Sequence, residues 1–458
     1  MLSDMKRACF SNHKKKKSSC EFHTAQITNY FSMKLAKLSF LMVSLWAFFA
    51  AIASAQGEIG CVYPDWTAGY LDIHHINTGR GECVFAILPD GTTMMIDAGE
   101  TGTDKRNFKP DGSKSSGEWI SRYILSMMRP FSEKKLDYML LTHFHDDHMG
   151  NVRLSNKKSD KGDYILTGIS EVGDLIPFGK IIDRSRPDYD YPYPMSNHPN
   201  VQNYIRFVDW HVANGATAEQ FEVGSNQQFK LLRQPDQYPG FEIRNIAANG
   251  RVWTGTHTNT RSYFPPINQL EKEEYPEENA CSAAIRISYG KFDYFNGGDL
   301  VHTYSPGTWK DIETPVGLVT GPVEVCEANH HAYHDAMGEA FLKAVRPRVV
   351  IMQLWSAGHP DHRVLQRMLD HSVYPGERDI FATNLMEATQ IVLGRRTGQM
   401  KSRQGHIVVR VNPGGDRYMI YILDDSAENF KVTNIHGPYL GNESNSVKTH
   451  CLVVHRQS

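Results

Sequence analysis

The sequence predicts an α/β fold whose chemistry sits at a strand edge, and three observations carry that expectation. The apolar run Leu136 to Leu141 empties directly into a loop of histidines and aspartates. Upstream of it, strand-like runs give way to a helical pattern over Glu118 to Met128, which stops at Pro130. Downstream, short apolar runs again end in polar clusters, at Gly297-Gly298-Asp299 and at His330-His331. Strand, helix and strand with polar residues gathered at the strand ends is the pattern of an α/β layer.

Before that body comes a targeting segment. Met33-Lys34-Leu35-Ala36-Lys37 precedes an apolar run from Leu38 to Ala50, and Ala53-Ser54-Ala55 stands before Gln56. Two lysines, about a dozen apolar residues and a small-x-small site form a secretory signal, too short for a membrane span of ~20 residues. Residues 1–32 are read as sequence ahead of the true start. The chain is therefore expected to be exported, to periplasm or medium, with cleavage near Ala55-Gln56 and no retained span.

The body is expected as one domain over residues 56–394, with an insertion at 151–279 and a β extension of the same domain at 395–458. Length allows this, since 458 residues fit one large domain or two to three small ones. Leu71 to Ile76 alternates, Cys83 to Leu88 runs apolar, and Asp90-Gly91 is a hairpin signal before Thr92 to Ile96. The insertion holds a helical stretch from Val201 to Asn214, a loop-like Arg251 to Glu278, and the proline- and tyrosine-rich Pro187 to Pro194. Strands return at Ser282 to Tyr289, Phe292 to Phe295, Val323 to Ala328 and Val349 to Leu354, with a helix over Asp335 to Val345. Gly405 to Tyr421 and Phe430 to Ile435 alternate around a Pro413-Gly414-Gly415 turn.

Charge and cysteine content exclude several classes. Net charge is −2, but residues 1–55 hold eight basic and two acidic side chains, so the remainder carries −8. A mildly acidic body argues against a general polyanion-binding surface, and specific nucleic-acid binding is not expected, although nuclease activity stays open. Past the leader the cysteines are Cys61, Cys83, Cys281, Cys326 and Cys451, an odd set without CxxC spacing. That is neither a zinc ribbon nor a disulfide scaffold, and only a Cys61–Cys83 bridge stays open.

Thr142-His143-Phe144-His145-Asp146-Asp147-His148-Met149-Gly150 is the strongest feature. Imidazole and carboxylate donors at this density suit Zn²⁺, with Mn²⁺ or Fe²⁺ as alternatives. In a turn leaving a strand, His-x-His converges on one metal while Asp-His points to a second. His74 and His75 lie in a strand and are expected as core histidines. Asp183-Arg184 reads equally as an anion clamp and as an ion pair between loops.

His143-x-His145-x-Asp147-His148 resembles the signature of the metallo-β-lactamase fold superfamily. Asn77-Thr78-Gly79-Arg80-Gly81-Glu82 with Ile96-Asp97-Ala98-Gly99 resembles its first hairpin. Asn279-Ala280-Cys281-Ser282 with Gly297-Gly298-Asp299 resembles the strand pair that brings in a bridging aspartate. Asn329-His330-His331 and Gly358-His359-Pro360 resemble the hydrolase domain of the ComEC-type DNA-uptake channel and, more loosely, a phosphorylcholine esterase. The resemblance implies an αββα sandwich binding two zinc ions at one edge. By it, His143 and His145 hold the first metal, Asp147, His148 and His330 the second, and Asp299 bridges them. His331 is the less favoured register. Asp97 would orient a ligand histidine from behind. No motif supplies a third histidine for the first metal, since only His198, His211 and His257 lie between Gly150 and Asn279.

The function expected is an exported metal-dependent hydrolase that activates water between two cations. Asp147 would hold the attacking water, and His359 would either donate a proton to the leaving oxygen or merely cap a turn before Pro360. The resemblance favours a phosphoester or phosphodiester, small or attached to envelope polymers. A lactone or other ester hydrolase, a non-catalytic metal-binding protein and an iron-dependent oxidoreductase stand as alternatives.

Overall fold

The structure, a computed structural model, describes residues 57–102, 104–302 and 307–441. The leader and signal segment fall outside these residues, as does Cys451. In chain order the first strands are β1 (Leu71–His75), β2 (Val84–Ile87), β3 (Thr93–Ile96), β4 (Leu136–Leu141), β5 (Phe178–Asp183) and β6 (Thr217–Gln220). Then come β7 (Phe241–Ala248), β8 (Arg251–Trp253), β9 (Thr260–Ser262), β10 (Ala284–Tyr289), β11 (Phe292–Asn296), β12 (Val325–Glu327), β13 (Val349–Met352) and β14 (Asp379–Ala382). The last are β15 (His406–Val411), β16 (Arg417–Leu423) and β17 (Val432–Leu440).

They form two mixed sheets. One has nine strands in the order β17-β16-β15-β1-β2-β3-β4-β5-β6, and the other eight in the order β14-β13-β12-β11-β10-β7-β8-β9. The hairpins pair antiparallel, whereas β3 to β6 and β11 to β14 run parallel across helical crossovers. The stretch 151–279 supplies strands to both sheets, and the loop-like Arg251 to Glu278 contains β8 and β9. The end of the chain is woven in too, because β15 pairs with β1 from Leu71↔Val411 to His75↔Ile407.

Burial on both faces explains the strand sequences. In β2, Val84 and Ala86 enter the core between the sheets while Phe85 and Ile87 enter the outer core. In β13, Val349 and Ile351 face the other sheet while Val350 and Met352 meet helices. Period-two alternation here separates two apolar environments rather than inside from outside, so these strands read as nearly continuous apolar runs. The outer layers are helices, Ser116–Met127 over the first sheet and Glu339–Val345 over the second. This is the expected αββα sandwich.

Several charged and polar groups inside the sandwich meet partners. Arg410 of β15 donates to both oxygens of Asp72 in β1, at 2.8 and 2.6 Å, with both side chains almost fully buried. His74 shares a hydrogen bond with the Tyr123 hydroxyl at 3.0 Å, and His75 lies 3.5 Å from Glu327, so both are core histidines. The cysteines among the described residues are free, which leaves no Cys61–Cys83 bridge. Asp72→Ala would strand the buried Arg410 charge and is expected to cost about 3–5 kcal/mol by urea denaturation. The double change to Asp72→Ala with Arg410→Met should recover most of that loss.

Candidate metal centre

The strand β4 ends at Leu141, and the next seven residues carry the polar cluster. Asp97, at the end of β3 and in left-handed backbone with φ 56, organises its start. Its Oδ1 accepts from the Thr142 backbone N–H at 2.8 Å and its Oδ2 from the Thr142 hydroxyl at 2.6 Å. The same Oδ2 lies 2.8 Å from His148 Nδ1. Asp97 thus sits behind His148, as the sequence implied, and fixes its proton on Nδ1.

Close backbone approach holds the loop. A Cβ on Gly99 would lie 1.7 Å from the Asp147 carbonyl oxygen, and one on Gly81 would lie 2.6 Å from the same atom. Both positions require glycine, and Glu82 N–H donates to that carbonyl at 2.8 Å. From the other side, Glu278 Oε1 accepts the Phe144 N–H at 2.8 Å, between the two histidines of His-x-His. Arg184 holds Glu278 by two bonds of 2.8 and 2.7 Å, its guanidinium stacked over the Phe144 ring. Arg184 is fully buried, so this pair is the structural ion pair rather than an anion clamp. Asp183 is occupied as well, accepting from Ser185 N, Arg186 N, Tyr189 and Tyr204. Asp146 turns away to Thr101 and Asn151.

The functional side chains converge on Asp299, which follows β11. His148 Nε2 is 3.1 Å and His331 Nε2 3.6 Å from its Oδ1. His143 Nε2 is 3.6 Å and His330 Nε2 3.9 Å from its Oδ2. His145 Nδ1 lies 3.2 Å from His143 Nε2, and Asp147 Oδ2 lies 3.0 Å from His331 Nε2. Two donor groups result: His143, His145 and Asp299 in one, and Glu82, His148, Asp299 and His331 in the other. Seven of the sequence-derived positions, Asp97, His143, His145, Asp147, His148, Asp299 and His330, are brought together.

One register needs correction. His331, not His330, reaches the group containing Asp147 and His148, and His330 faces the opposite oxygen of Asp299. The cause is local backbone. His330, His331 and Ala332 are all left-handed, with φ of 45, 52 and 57, a conformation costing about 1–3 kcal/mol per non-glycine residue. Periodicity arguments assume regular backbone and cannot see such a turn. Glu82 was legible only as part of a hairpin motif; its Oε2 approaches His331 Nδ1 at 3.5 Å.

Protonation shows what the cluster lacks. His331 Nδ1 lies 2.8 Å from the Gln353 carbonyl and His148 Nδ1 2.8 Å from Asp97 Oδ2, so each ring turns its Nε2 toward a carboxylate. A ring nitrogen facing a carboxylate oxygen at such distances calls for positive charge between them, from a proton or a metal ion. His148 Nε2 and Asp299 Oδ1 accordingly have no hydrogen-bond partner. Burial opposes charge on His148, but Asp299, Asp147 and Asp97 outweigh it and hold its pKa well above the ordinary value. Burial likewise raises Asp147 and Asp299, yet the neighbouring histidines dominate and hold both below the carboxylate range. A set of imidazoles and carboxylates with converging lone pairs fits divalent transition ions in both groups.

His359 reaches the site but not as the charged donor. Its ring stacks on His331 at 5.0 Å, and burial, then His331, lower its pKa to about 3. A neutral imidazole supplies a hydrogen bond, not a ready proton.

Among known proteins, residues 78–195 match the family model described as Metallo-beta-lactamase superfamily. No curated protein matches the chain. Solved structures similar to it include the short form of human tRNase Z, at 9% identity, covering 61% of this chain and 91% of that one, with a TM-score of 0.27. Another is a diphosphatase of the PhnP family, at 8% identity, covering 75% of this chain and 98% of that one, with a TM-score of 0.28.

Cation binding must displace the protons that His148 and His330 hold in the free chain. His330 is raised to about 9, burial being outweighed by Asp299 and the Asp335 hydrogen bond. Near neutral pH, zinc titration by calorimetry in buffers of different ionisation heat should therefore show net proton release. Affinity should rise as pH climbs toward 9; a pH-independent affinity without release would contradict this electrostatic account.

Proposed function

We propose that this chain, whose residues 78–195 match the metallo-β-lactamase superfamily, is a metal-dependent hydrolase acting on phosphoesters or phosphodiesters. The observation that carries the reading is the division of donors across Asp299, one set at each carboxylate oxygen. Two divalent cations, when bound there, supply Lewis-acid polarisation and lower the pKa of water toward neutrality. Such paired sites suit displacement at phosphorus, where charge develops on both attacking and leaving oxygens. The alternatives are a lactone or other ester as substrate, an iron-dependent redox reaction, and binding without turnover.

The protein's own residues do the rest. Asp147 stays ionised and accepts a hydrogen bond from the attacking water, fixing its direction. Asp97, Asp335 and the Gln353 carbonyl hold His148, His330 and His331 in the tautomer that leaves Nε2 free. His359 donates its single N–H to a substrate oxygen. Substrate arrives over His145 and His330, which are partly exposed, while His143, His148 and His331 are closed to solvent.

The setting belongs to the proposal. The lysines and apolar run ahead of Ala55 support export, and substrates would then be small or envelope-attached esters. Among the described residues no helix is long and apolar enough to cross a membrane. The test of location is N-terminal sequencing of protein from its own host, with Gln56 expected first and a cytoplasmic chain retaining Met33 contradicting it.

The test of activity is a zinc-loaded sample assayed on small phosphodiesters, phosphomonoesters and lactones. Phosphoester cleavage is expected, and Asp147→Ala should lower it by ~10²-fold or more while leaving the folded spectrum unchanged. Lactone cleavage alone would favour the ester reading. No turnover by a metal-loaded chain would favour binding without catalysis.

A further inference from the structure

We infer that the indole of Trp355 is a substrate-binding group, its N–H donating a hydrogen bond to an oxygen of the phosphoester at the metal centre. This rests on the metal-dependent hydrolase reading above and deepens it with a residue outside the donor cluster. Trp355 is half-buried, on the loop that follows β13. That loop grips the His331 ring at both ends. The Gln353 carbonyl lies 2.8 Å from Nδ1, and Trp355 Nε1 lies 3.3 Å from Nε2. An indole N–H can only donate, so Nε2 is its acceptor. A nitrogen lone pair cannot accept a hydrogen bond and bind a cation at once. When His331 takes a cation, the Trp355 N–H loses its acceptor while remaining beside the ion. An anionic oxygen drawn to that ion is then the acceptor within reach. A hydrogen bond to a charged oxygen is about twice as strong as one between neutral groups.

The neighbouring rings form a wall on the His331 side of the centre. His359 stacks on His331 with centroids 5.0 Å apart, and the Trp355 ring meets His359 nearly perpendicular at 5.1 Å. Tyr333 joins them, 5.4 Å from His330 and 5.3 Å from His359. His359 is buried, and its Nδ1 has no hydrogen-bond partner among the described residues. The loop is held before any ligand arrives. Leu354 N–H donates to Thr383 Oγ1 at 3.1 Å, and the Ala357 carbonyl accepts from Thr389 at 2.8 Å. A Cβ on Gly358 would stand 3.1 Å from the Tyr333 ring. A donor fixed in advance needs little reorganisation when charge arrives. Packing alone would be served by an apolar ring; it does not explain an N–H aimed at an imidazole nitrogen of the donor cluster.

Inorganic phosphate is the probe, titrated by calorimetry into the zinc-loaded full chain and its Trp355→Phe variant. Phenylalanine keeps an aromatic ring in the wall and removes the donor. Zinc content by elemental analysis and the circular dichroism spectrum should match those of the unmutated chain, while phosphate binds ~10–100-fold more weakly. A role in packing alone would leave phosphate affinity unchanged in the folded variant. That result would overturn the inference, and phosphoester cleavage by the unmutated chain would still leave the hydrolase reading standing. If Trp355→Phe does not fold, a crystal structure of the unmutated chain loaded with zinc and phosphate decides. Nε1 within hydrogen-bond distance of a phosphate oxygen supports the inference. An indole still directed at His331, or turned from the anion, overturns it. A zinc-loaded unmutated chain that neither binds phosphate nor cleaves phosphoesters overturns both readings.

Discussion

The centre depends on Asp299, a buried carboxylate surrounded by four imidazoles whose Nε2 atoms point toward it. Such a concentration of lone pairs is unfavourable in a dry interior unless positive charge fills it. Without a metal, protons do so, which is why His148 and His330 are held charged. With one, the same lone pairs become ligands. The tethers on Nδ1 decide the matter, because each fixes a tautomer that presents the other nitrogen inward. The framework's task is to keep these tethers rigid. Asp97 comes from the end of β3, Gln353 follows β13, and Asp335 lies on the loop after the His330-His331 turn.

The scaffold gathers the candidate donors at strand ends. β4 delivers His143 to His148, and β11 delivers Asp299 from the facing sheet. β12 delivers His330 and His331. A site assembled from both sheets is as rigid as the core between them, where Leu140, Ile285 and Val325 are fully buried. The stretch 151–279 contributes to this, since Arg184 and Glu278, 94 residues apart, pin the Phe144 backbone between His143 and His145.

Much of this was legible in the sequence because the ligand loop is local. Three histidines and two aspartates in six residues after an apolar strand need no tertiary information to be seen. Asp97 and Asp299 were found through the resemblance of their motifs to a known family. The His330/His331 choice was not legible, because it turns on left-handed backbone at residues that carry side chains. The Arg184–Glu278 pair was equally invisible, since nothing in either residue's neighbourhood names its partner. β5 and β7 were overlooked for another reason: Phe178–Asp183 and Phe241–Ala248 mix charged residues into the apolar pattern, and their pairing in the sheets overrides that weak local signal. The environment of His359 lay beyond sequence reasoning too, since burial and the stacked His331 lower its pKa.

The central claim is that Asp299 is shared by two cations. Anomalous diffraction from crystals of the zinc-loaded chain tests it most directly. The account predicts two peaks about 3.5–4 Å apart on either side of the Asp299 carboxylate, one beside His148 and His331 and one beside His143. A single peak, or peaks that leave Asp299 uncoordinated, would contradict it.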